Sequence, residues 1–388
     1  MSVNTESPGS DALRYVSDPR FHRTFTLPAS SGHHDDLIVS YADLGRAPDP
    51  DGTAPAPPTV LFMPGMFASR YLGVAMHVVA EKLGVRVLVV DRPGMGKSTD
   101  VPLDKRVSTW VELVPRLLQH LGIPHVALAS HSAGTVFLLN TLSQCRDVLH
   151  PTKPFAALLA PFVDPACSKV TSMQLAKYVP VSAFSIWHLI PQFFVLKAGP
   201  AFASSGTVVT KASGMISGVS GNQDTSELEK NRQKVEKEYG MSRDLQAEID
   251  KQVFKSMFDE NTVGANSEAL QCLKKSDSSW GQCSDFAEFV KGLVLDERRR
   301  RSSEISNTES ARLKVRMYFA EDDALSGKKG QLYVEDCWKG EELGDVRDVL
   351  DFESTTIPKT DHDSVMQSVD VLARVFIEAG GVAISTAE

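Results

Sequence analysis

Short apolar runs alternate with longer segments of helical spacing along most of this chain. Runs rich in Val, Leu, Ile and Phe predict strands at Thr24–Leu27, Leu37–Ala42, Thr59–Met63, Arg86–Val90, Phe155–Leu159, Leu313–Ala320 and Leu350–Ile357. Apolar residues three and four positions apart predict helices over Leu72–Leu83, Thr109–Leu121, Thr135–Leu142 and Val365–Ala379. Strands that alternate with helices are typical of an α/β fold, so we expect a mostly parallel central sheet flanked by helices.

The alternation stops in the middle of the chain. Residues 162–310 lack the strand pattern and have helical spacing at Glu227–Phe258 and Ser267–Leu293. We therefore predict a mainly helical lid inserted before the late core strands. The predicted divisions are a polar N-terminal segment at 1–20, a first core part at 21–161, the lid at 162–310 and a second core part at 311–388.

The start of the predicted lid is unusually apolar. Val179–Val195 contains several large hydrophobic side chains, while Pro180, Pro191, His188 and Gln192 interrupt it. These interruptions argue against a spanning helix, which needs about 20 consecutive apolar residues. The segment either packs as the lid's own core or forms an apolar wall for an acyl chain, with peripheral membrane contact as a further interpretation. Gly206–Gly221 is rich in Ser, Gly and Val and is interpreted as a hinge or a loop.

One sharp turn carries most of the chemical information. An apolar run that starts at Val126 ends at Ser130-His131-Ser132-Ala133-Gly134, and an apolar helical run follows at once. This pattern predicts a strand that turns directly into a helix, with Ser132 at the apex. The free N–H groups and positive dipole end of such a helix favour developing negative charge. A hydroxyl at this point suits acyl transfer, although a serine that caps a helix in another doubly wound protein would give the same pattern.

The turn resembles the nucleophile elbow G-x-S-x-G of the α/β-hydrolase fold superfamily, with Ser130 in place of the first Gly. The loop Pro64-Gly65-Met66-Phe67, after the strand at Thr59–Met63, is similar to the family's H-G-x-P loop. The resemblance implies that an oxyanion hole is formed by the backbone N–H groups of Met66 and Ala133.

The loop after the strand at Arg86–Val90 has two interpretations. Asp91-Arg92-Pro93-Gly94-Met95-Gly96-Lys97-Ser98 is similar to a D-x-P-G-x-G-x-S loop of the same family. Gly96-Lys97-Ser98 also matches the end of a phosphate-binding P-loop. That motif would need Gly at position 91 and a helix immediately afterwards, whereas Asp91 and Pro102 stand there. Nucleotide binding is therefore not expected.

The resemblance also implies an acid and a base beyond the predicted lid. The strand at Leu313–Ala320 runs into Glu321-Asp322-Asp323, and alignment with the family's G-x-x-D ending gives Asp323 as the acid. Asp322 is the alternative acid, and Asp164 is a third candidate. His362 follows the strand at Leu350–Ile357, where family members place the base, so the order Ser132, Asp323, His362 matches the family.

These residues predict a serine hydrolase that cleaves an ester, with a hydrophobic acyl group favoured by the apolar lid start. An acyltransferase, thioesterase or carbon–carbon bond hydrolase would use the same triad, and a non-catalytic binding protein on this scaffold is the alternative from another class. Epoxide hydrolases and dehalogenases of this fold need a carboxylate where Ser132 stands.

Composition narrows the remaining possibilities. The chain has 388 residues, 42% hydrophobic and 23% charged, which is ordinary for a globular protein. A net charge of −8 argues against nucleic-acid partners. Five scattered cysteines show neither zinc-site nor disulfide spacing, and we expect no metal and no cofactor. Met1–Asp18 lacks the apolar core of a signal peptide, which favours a cytoplasmic protein whose partner is a small-molecule ester or acyl substrate.

Overall fold

The computed structural model describes residues 8–189, 225–275, 280–303, 311–339 and 346–383. The predicted hinge at Gly206–Gly221 and the part of the apolar lid start beyond residue 189 lie outside the described residues. None of the described helices is long and apolar enough to cross a lipid bilayer.

One eight-stranded sheet forms the centre of the molecule. Its strands are β1 (Arg23–Leu27), β2 (Leu37–Gly45), β3 (Thr59–Met63), β4 (Arg86–Val90), β5 (Ala127–His131), β6 (Phe155–Leu159), β7 (Leu313–Asp322) and β8 (Leu350–Asp361). They lie in the order β1-β2-β4-β3-β5-β6-β7-β8. The β1–β2 and β2–β4 pairs are antiparallel, and all other neighbouring pairs are parallel.

Helices cover this sheet, and several more lie among the described residues between β6 and β7. The described α-helices are α1 (Pro8–Val16), α2 (His77–Lys82), α3 (Arg106–His120), α4 (Gly134–Gln144), α5 (Pro165–Ser168), α6 (Thr171–Ala176), α7 (Thr225–Tyr239), α8 (Arg243–Asp259), α9 (Gly264–Cys272), α10 (Phe286–Ser303), α11 (Gly327–Lys339), α12 (Ser364–Gln367) and α13 (Val369–Glu378). Short 3₁₀ helices include Arg70–Met76 and Val181–Ile186.

The predicted α/β fold class is confirmed, and the apolar runs explain the central strands. Every residue of β3, β4, β5 and β6 is buried. Parallel strands with helices on both faces have no solvent side, so their sequences are continuously apolar rather than alternating. Strands β7 and β8 extend beyond the predicted apolar runs into acidic residues, where the pairing register shifts between Ala320 and Asp322.

Two predicted helices differ in detail. The spacing over Leu72–Leu83 predicts one α-helix, but its first part belongs to the 3₁₀ helix Arg70–Met76. There Gly73 approaches the sheet so closely that a Cβ would lie 2.6 Å from Val89 Cγ2. The predicted helix Val365–Ala379 is divided at Ser368, which has extended backbone and accepts a hydrogen bond from the Val371 N–H as the cap of α13.

The described residues between β6 and β7 are mainly helical, and the exact limits of a lid at 162–310 stay a prediction. Its charged middle consists of two helices, α7 and α8, which are separated at Gly240. Gly240 has φ +80°, a conformation that ends helices and suits glycine.

Helix α9 begins against the loop after β4. The Gly264 N–H donates to the Gly94 carbonyl at 2.9 Å, and the Gly96 N–H donates to the Asn261 carbonyl at 2.8 Å. A Cβ on Gly264 would lie 2.3 Å from the Pro93 carbonyl oxygen. Glycine therefore allows α9 to dock directly on the backbone of the core.

Candidate active site

Ser132 lies between the end of β5 and the start of α4, as the strand–turn–helix pattern predicts. Its φ is +50°, a conformation that non-glycine residues rarely adopt and that occurs preferentially at functional sites. The turn is held by a hydrogen bond from the Ser132 N–H to the Leu159 carbonyl at 3.1 Å and by one from the Thr135 N–H to the Ser132 carbonyl at 2.9 Å. The side chain is thus presented at a strained, closely fastened turn.

Ser130 occupies the elbow position where the family pattern has Gly. It is a buried residue of β5 and pairs with Met63 of β3. Extended backbone accepts a Cβ without strain, which explains why serine fits here. The Ser130 hydroxyl has no hydrogen-bond partner among the residues that the structure describes.

The structure brings Ser132, His362 and Asp323 together in one chain of hydrogen bonds. The Ser132 hydroxyl lies 2.7 Å from His362 Nε2, and His362 Nδ1 lies 2.9 Å from both carboxylate oxygens of Asp323. Because an ionised carboxylate only accepts, Nδ1 carries the proton and Nε2 is free to accept from the serine. Asp322, the alternative acid, is exposed, and Asp164 instead caps α5.

Asp323 is also held in place by backbone hydrogen bonds. Its Oδ1 accepts hydrogen bonds from the backbone N–H groups of Leu325 at 2.9 Å and Ser326 at 2.8 Å. Burial opposes its ionisation, but the charge of His362 and these hydrogen bonds outweigh burial and hold the pKa of Asp323 below its ordinary value. The carboxylate is therefore ionised and fixed.

Two buried histidines lie side by side at the turn. Burial disfavours the charged form of His362, yet the charge of Asp323 and its hydrogen bond raise the pKa of His362 above the ordinary value. The neighbouring His131 has a lowered pKa because of its own burial and the charge of His362. His131 Nε2 donates to the His362 carbonyl at 2.9 Å, so the neutral His131 fastens the backbone that carries His362. Sequence reasoning missed this contact.

The predicted oxyanion donors Met66 and Ala133 both line one cavity with Ser132 and His362. Ala133 directly precedes α4 as its N-cap residue. Within the described part of the chain, neither backbone N–H donates a hydrogen bond. Two free amides near the serine can stabilise a negatively charged oxygen.

The cavity at Ser132 is predominantly apolar and has a volume of about 260 Å³. Much of its wall comes from the helical residues between β6 and β7. Its large apolar lining side chains are Met66, Phe67, Leu72, Phe162, Met173, Phe184, Trp187, Phe254, Met257, Leu273, Leu325 and Met366. Phe184 and Trp187 belong to the apolar lid start, so at least this part of it contributes to the cavity wall.

Comparisons with known proteins agree with this architecture. Residues 60–228, which include Ser132, match the model of a family described as the alpha/beta hydrolase family. A carboxylesterase structure from Nitrososphaera gargenis is 12% identical with a TM-score of 0.51, and covers 91% of this chain and 96% of its own. A proposed lipase from Acinetobacter baumannii is 13% identical with a TM-score of 0.52, and covers 97% of both chains. The search of curated proteins found no match.

The chain has the α/β-hydrolase fold, and its residues 60–228 match the alpha/beta hydrolase family. This match supports an enzyme of the hydrolase class acting on a small molecule. Because the same fold hosts several reactions, the bond that is cleaved does not follow from membership alone.

The loop after β4 is part of the hydrolase core and does not have the arrangement of a P-loop. The Ser98 hydroxyl donates to the Asp91 carbonyl at 2.8 Å, and its oxygen also accepts from the Ser40 N–H at 3.0 Å. A serine turned inward in this way is already occupied and is not available to a phosphate or its metal ion.

One cluster among the described residues has metal-binding side chains within reach of each other. The ligand atoms of His33, His34 and Glu112 lie within 4.8 Å of one another. Glu112 already pairs with His34 at 3.3 Å and with Arg116 at 3.1 Å. None of the three lines the cavity at Ser132. The contact between His34 and Glu112 joins the β1–β2 loop to α3.

Proposed function

We propose that this α/β-hydrolase is a serine esterase that cleaves a carboxylic ester with an apolar acyl group. The observation that carries the proposal is the hydrogen-bond chain from Ser132 through His362 to Asp323, which opens on the apolar cavity. A nucleophile, a base within 2.7 Å of it and a carboxylate that orients the base are the parts that acyl transfer requires.

In the first half-reaction Ser132 Oγ attacks the carbonyl carbon of the ester while His362 Nε2 takes its proton. The tetrahedral intermediate collapses when the imidazolium of His362 returns this proton to the leaving alkoxide. The alcohol departs and the acyl group stays on Ser132. Water, deprotonated by the same nitrogen, then attacks the acyl carbon and releases the carboxylic acid with Ser132 restored.

Asp323 acts through His362. Its two carboxylate oxygens receive the Nδ1 proton at 2.9 Å, which fixes the tautomer whose Nε2 accepts from Ser132. Its negative charge also stabilises the imidazolium that forms in each half-reaction, in agreement with the raised pKa of His362. Asp322 is exposed and lacks this arrangement, so we assign the acid to Asp323.

The amides of Met66 and Ala133 are proposed to receive the oxyanion. Both are free of internal hydrogen bonds among the described residues and border the cavity beside Ser132. Ala133 also stands at the positive end of the α4 dipole. In comparable sites one such donor is worth about 2.7–4 kcal/mol of transition-state stabilisation.

The preference for an apolar acyl group rests on the cavity wall. The side chains of Phe184, Trp187 and Phe254 can exclude water from an acyl chain bound between them. Each methylene buried in this way contributes about 0.8 kcal/mol. All three residues lie in the mainly helical interval between β6 and β7. We therefore propose that this interval serves as the lid and sets acyl-chain specificity.

A fluorophosphonate probe and a chain-length series of p-nitrophenyl esters test the proposal directly. Wild-type protein should be labelled at Ser132 and should turn over esters to the free acid. The variants Ser132→Ala, Asp323→Asn and His362→Ala should lose turnover, and labelling should vanish in Ser132→Ala. Ser108→Ala, which removes an exposed hydroxyl on α3, is the matched control and should label normally.

Folded wild-type protein that neither labels nor turns over any ester would contradict the esterase and leave a binding protein on the same scaffold. Product analysis with added alcohols separates the related reactions. Transfer to the alcohol in preference to water would replace hydrolysis by acyltransferase activity. Loss of turnover in Asp322→Asn but not in Asp323→Asn would move the acid by one residue.

A further inference from the structure

Arg92 is a buried cation that contacts the proposed oxyanion loop. Its side chain and that of Glu268 are 0% and 1% exposed. One guanidinium edge donates to Glu268 Oε1 at 2.6 Å and to Oε2 at 2.9 Å. The same group donates to the backbone carbonyls of Pro64 at 2.5 Å and Gly65 at 2.8 Å. Arg92 thus joins α9 to the loop that carries Met66.

The carbonyl of Gly65 and the N–H of Met66 belong to the same peptide group. In a planar trans peptide these two groups point in opposite directions. A donor that holds the Gly65 carbonyl on the buried side therefore directs the Met66 N–H away from that side. Both Gly65 and Met66 line the cavity at Ser132. The orientation of the proposed oxyanion donor is consequently coupled to the position of the Arg92 guanidinium.

We propose that Arg92 is a positioning residue for the oxyanion donor at Met66, and that Glu268 holds Arg92 in the required place. The inference rests on the proposed esterase function and extends it to a residue that does not touch the substrate. Arg92 carries its effect through two carbonyl contacts, and Glu268 fixes the guanidinium from the opposite side with a bidentate pair.

The chemistry of the cluster favours positioning over packing. Burying a charged pair costs desolvation energy that apolar side chains of the same size would not incur. The guanidinium presents several donors in a rigid plane, so it can bind a carboxylate and two carbonyls at once. A lysine ammonium is a single point charge and cannot reproduce this set of directions. The loop is also close to the start of α4, because a Cβ on Gly134 would lie 2.9 Å from the Pro64 carbonyl oxygen.

Arg106 provides a matched control within the same cluster. Its side chain is also 0% exposed, and it donates to Glu268 at 3.2 Å and to the Pro93 carbonyl at 2.8 Å. It makes no hydrogen bond to the loop at Pro64 and Gly65. Arg106→Lys therefore disturbs the same buried charges as Arg92→Lys without releasing the Gly65 carbonyl.

The test compares kcat per active site in the two variants. Active sites are counted by prolonged fluorophosphonate titration, and the affinity of a trifluoromethyl ketone, whose adduct carries an oxyanion, is measured in parallel. Arg92→Lys should lower kcat about 10- to 100-fold, less than the ~10²–10³ lost when a donor is deleted, with little change in KM. The inhibition constant for the ketone should rise by a similar factor. Arg106→Lys should keep kcat per site within about two-fold.

Three results would overturn the inference. The first is a kcat per active site in Arg92→Lys that equals the wild-type value. The second is an equal loss of kcat per active site in Arg92→Lys and Arg106→Lys, which would indicate a general structural role. In either case labelling of the wild type would leave the esterase proposal standing. The third is a wild type that neither labels nor turns over, which would remove both proposals. If Arg92→Lys does not fold, Glu268→Gln decides: it keeps one of the two acceptor oxygens but removes the other and the negative charge, which weakens the clamp. Unchanged ketone affinity in this variant would contradict the inference.

Discussion

Gly134 at the start of α4 lies directly against the backbone of Met63: a Cβ on Gly134 would lie 2.0 Å from the Met63 carbonyl oxygen. Any side chain here must push α4 away from the end of β3, and with it the turn at Ser132. We expect Gly134→Ala to lower the free energy of unfolding by about 1–3 kcal/mol or more, because the obstructing atom is backbone and cannot rotate away. Urea unfolding measures the change.

The control for this substitution is Gly292→Ala. Gly292 lies within α10, and a Cβ there would meet no atom within 4 Å. Alanine should stabilise the helix by up to about 1 kcal/mol, since glycine is a poor helix former. A Gly134→Ala protein that is as stable as the wild type and retains fluorophosphonate labelling would show that the elbow tolerates the displacement.

The dependence of activity on pH follows from the pairing of His362 with Asp323. His362 must be neutral to accept the proton of Ser132, so kcat/KM should fall as pH decreases through the His362 pKa. Because Asp323 raises this pKa, the loss should occur at higher pH than for an isolated histidine. The lowered pKa of Asp323 keeps that group ionised across the same range.

Asp323→Asn removes the charge that raises the His362 pKa. The acid limb of the kcat/KM profile should therefore move to lower pH, and kcat should decrease about 10³–10⁴-fold. Exposed Asp322 serves as the comparison, since Asp322→Asn should leave the limb near its wild-type position. A limb that stays fixed in Asp323→Asn would mean that another group governs the profile.

The size of the cavity should set the preferred ester. Ala176 is half-buried at the end of α6 and lines the cavity, so Ala176→Leu should shorten the acyl chain that binds best. Each methylene that no longer fits should lower kcat/KM about four-fold, because burial of one methylene contributes ~0.8 kcal/mol. The p-nitrophenyl ester series measures the optimum. The preceding Leu175 is 63% exposed and does not line the cavity, and Leu175→Ala should keep the wild-type optimum.

A buried ion pair in the antiparallel part of the sheet should contribute to stability and not to turnover. Arg86 donates to both oxygens of Asp43 at 2.9 Å, and the side chains are 9% and 6% exposed. Asp43→Asn leaves the guanidinium without its charge partner and should cost about 3–5 kcal/mol of unfolding free energy. kcat per active site should be unchanged.

The matched surface pair joins Glu248 and Lys251, which are 31% and 57% exposed. Glu248→Gln should change the free energy of unfolding by less than about 1 kcal/mol. Equal effects of Asp43→Asn and Glu248→Gln in urea unfolding would contradict the distinction between the two environments.

The sequence was sufficient to predict the parts of the fold that depend on local pattern. The runs at Thr59–Met63, Arg86–Val90 and Phe155–Leu159 coincide with β3, β4 and β6 because each strand is buried on both faces and therefore continuously apolar. The elbow at Ser132 was equally visible, since its apolar strand, small residues and apolar helix are adjacent in the chain.

Contacts between distant segments could not be predicted in this way. Nothing around Arg92 indicates that its partner is Glu268, which lies far along the chain in a segment without strand pattern. The role of His131 was equally hidden, because its contact with the His362 carbonyl depends on how the last loop folds back over β5. The division of the last helix at Ser368 was also missed, since the apolar spacing continues across it.

The docking of α9 has a consequence for protein engineering. This helix contributes Ala269 and Cys272 to the cavity, starts on the backbone of Gly94 and presents Glu268 to Arg92. A chimera that receives the helical interval of a relative would keep Arg92 in the core but replace the segment that supplies its carboxylate partner. The interval is therefore not an interchangeable module: a transplanted one would need its own acid at this position, or a matching exchange of Arg92.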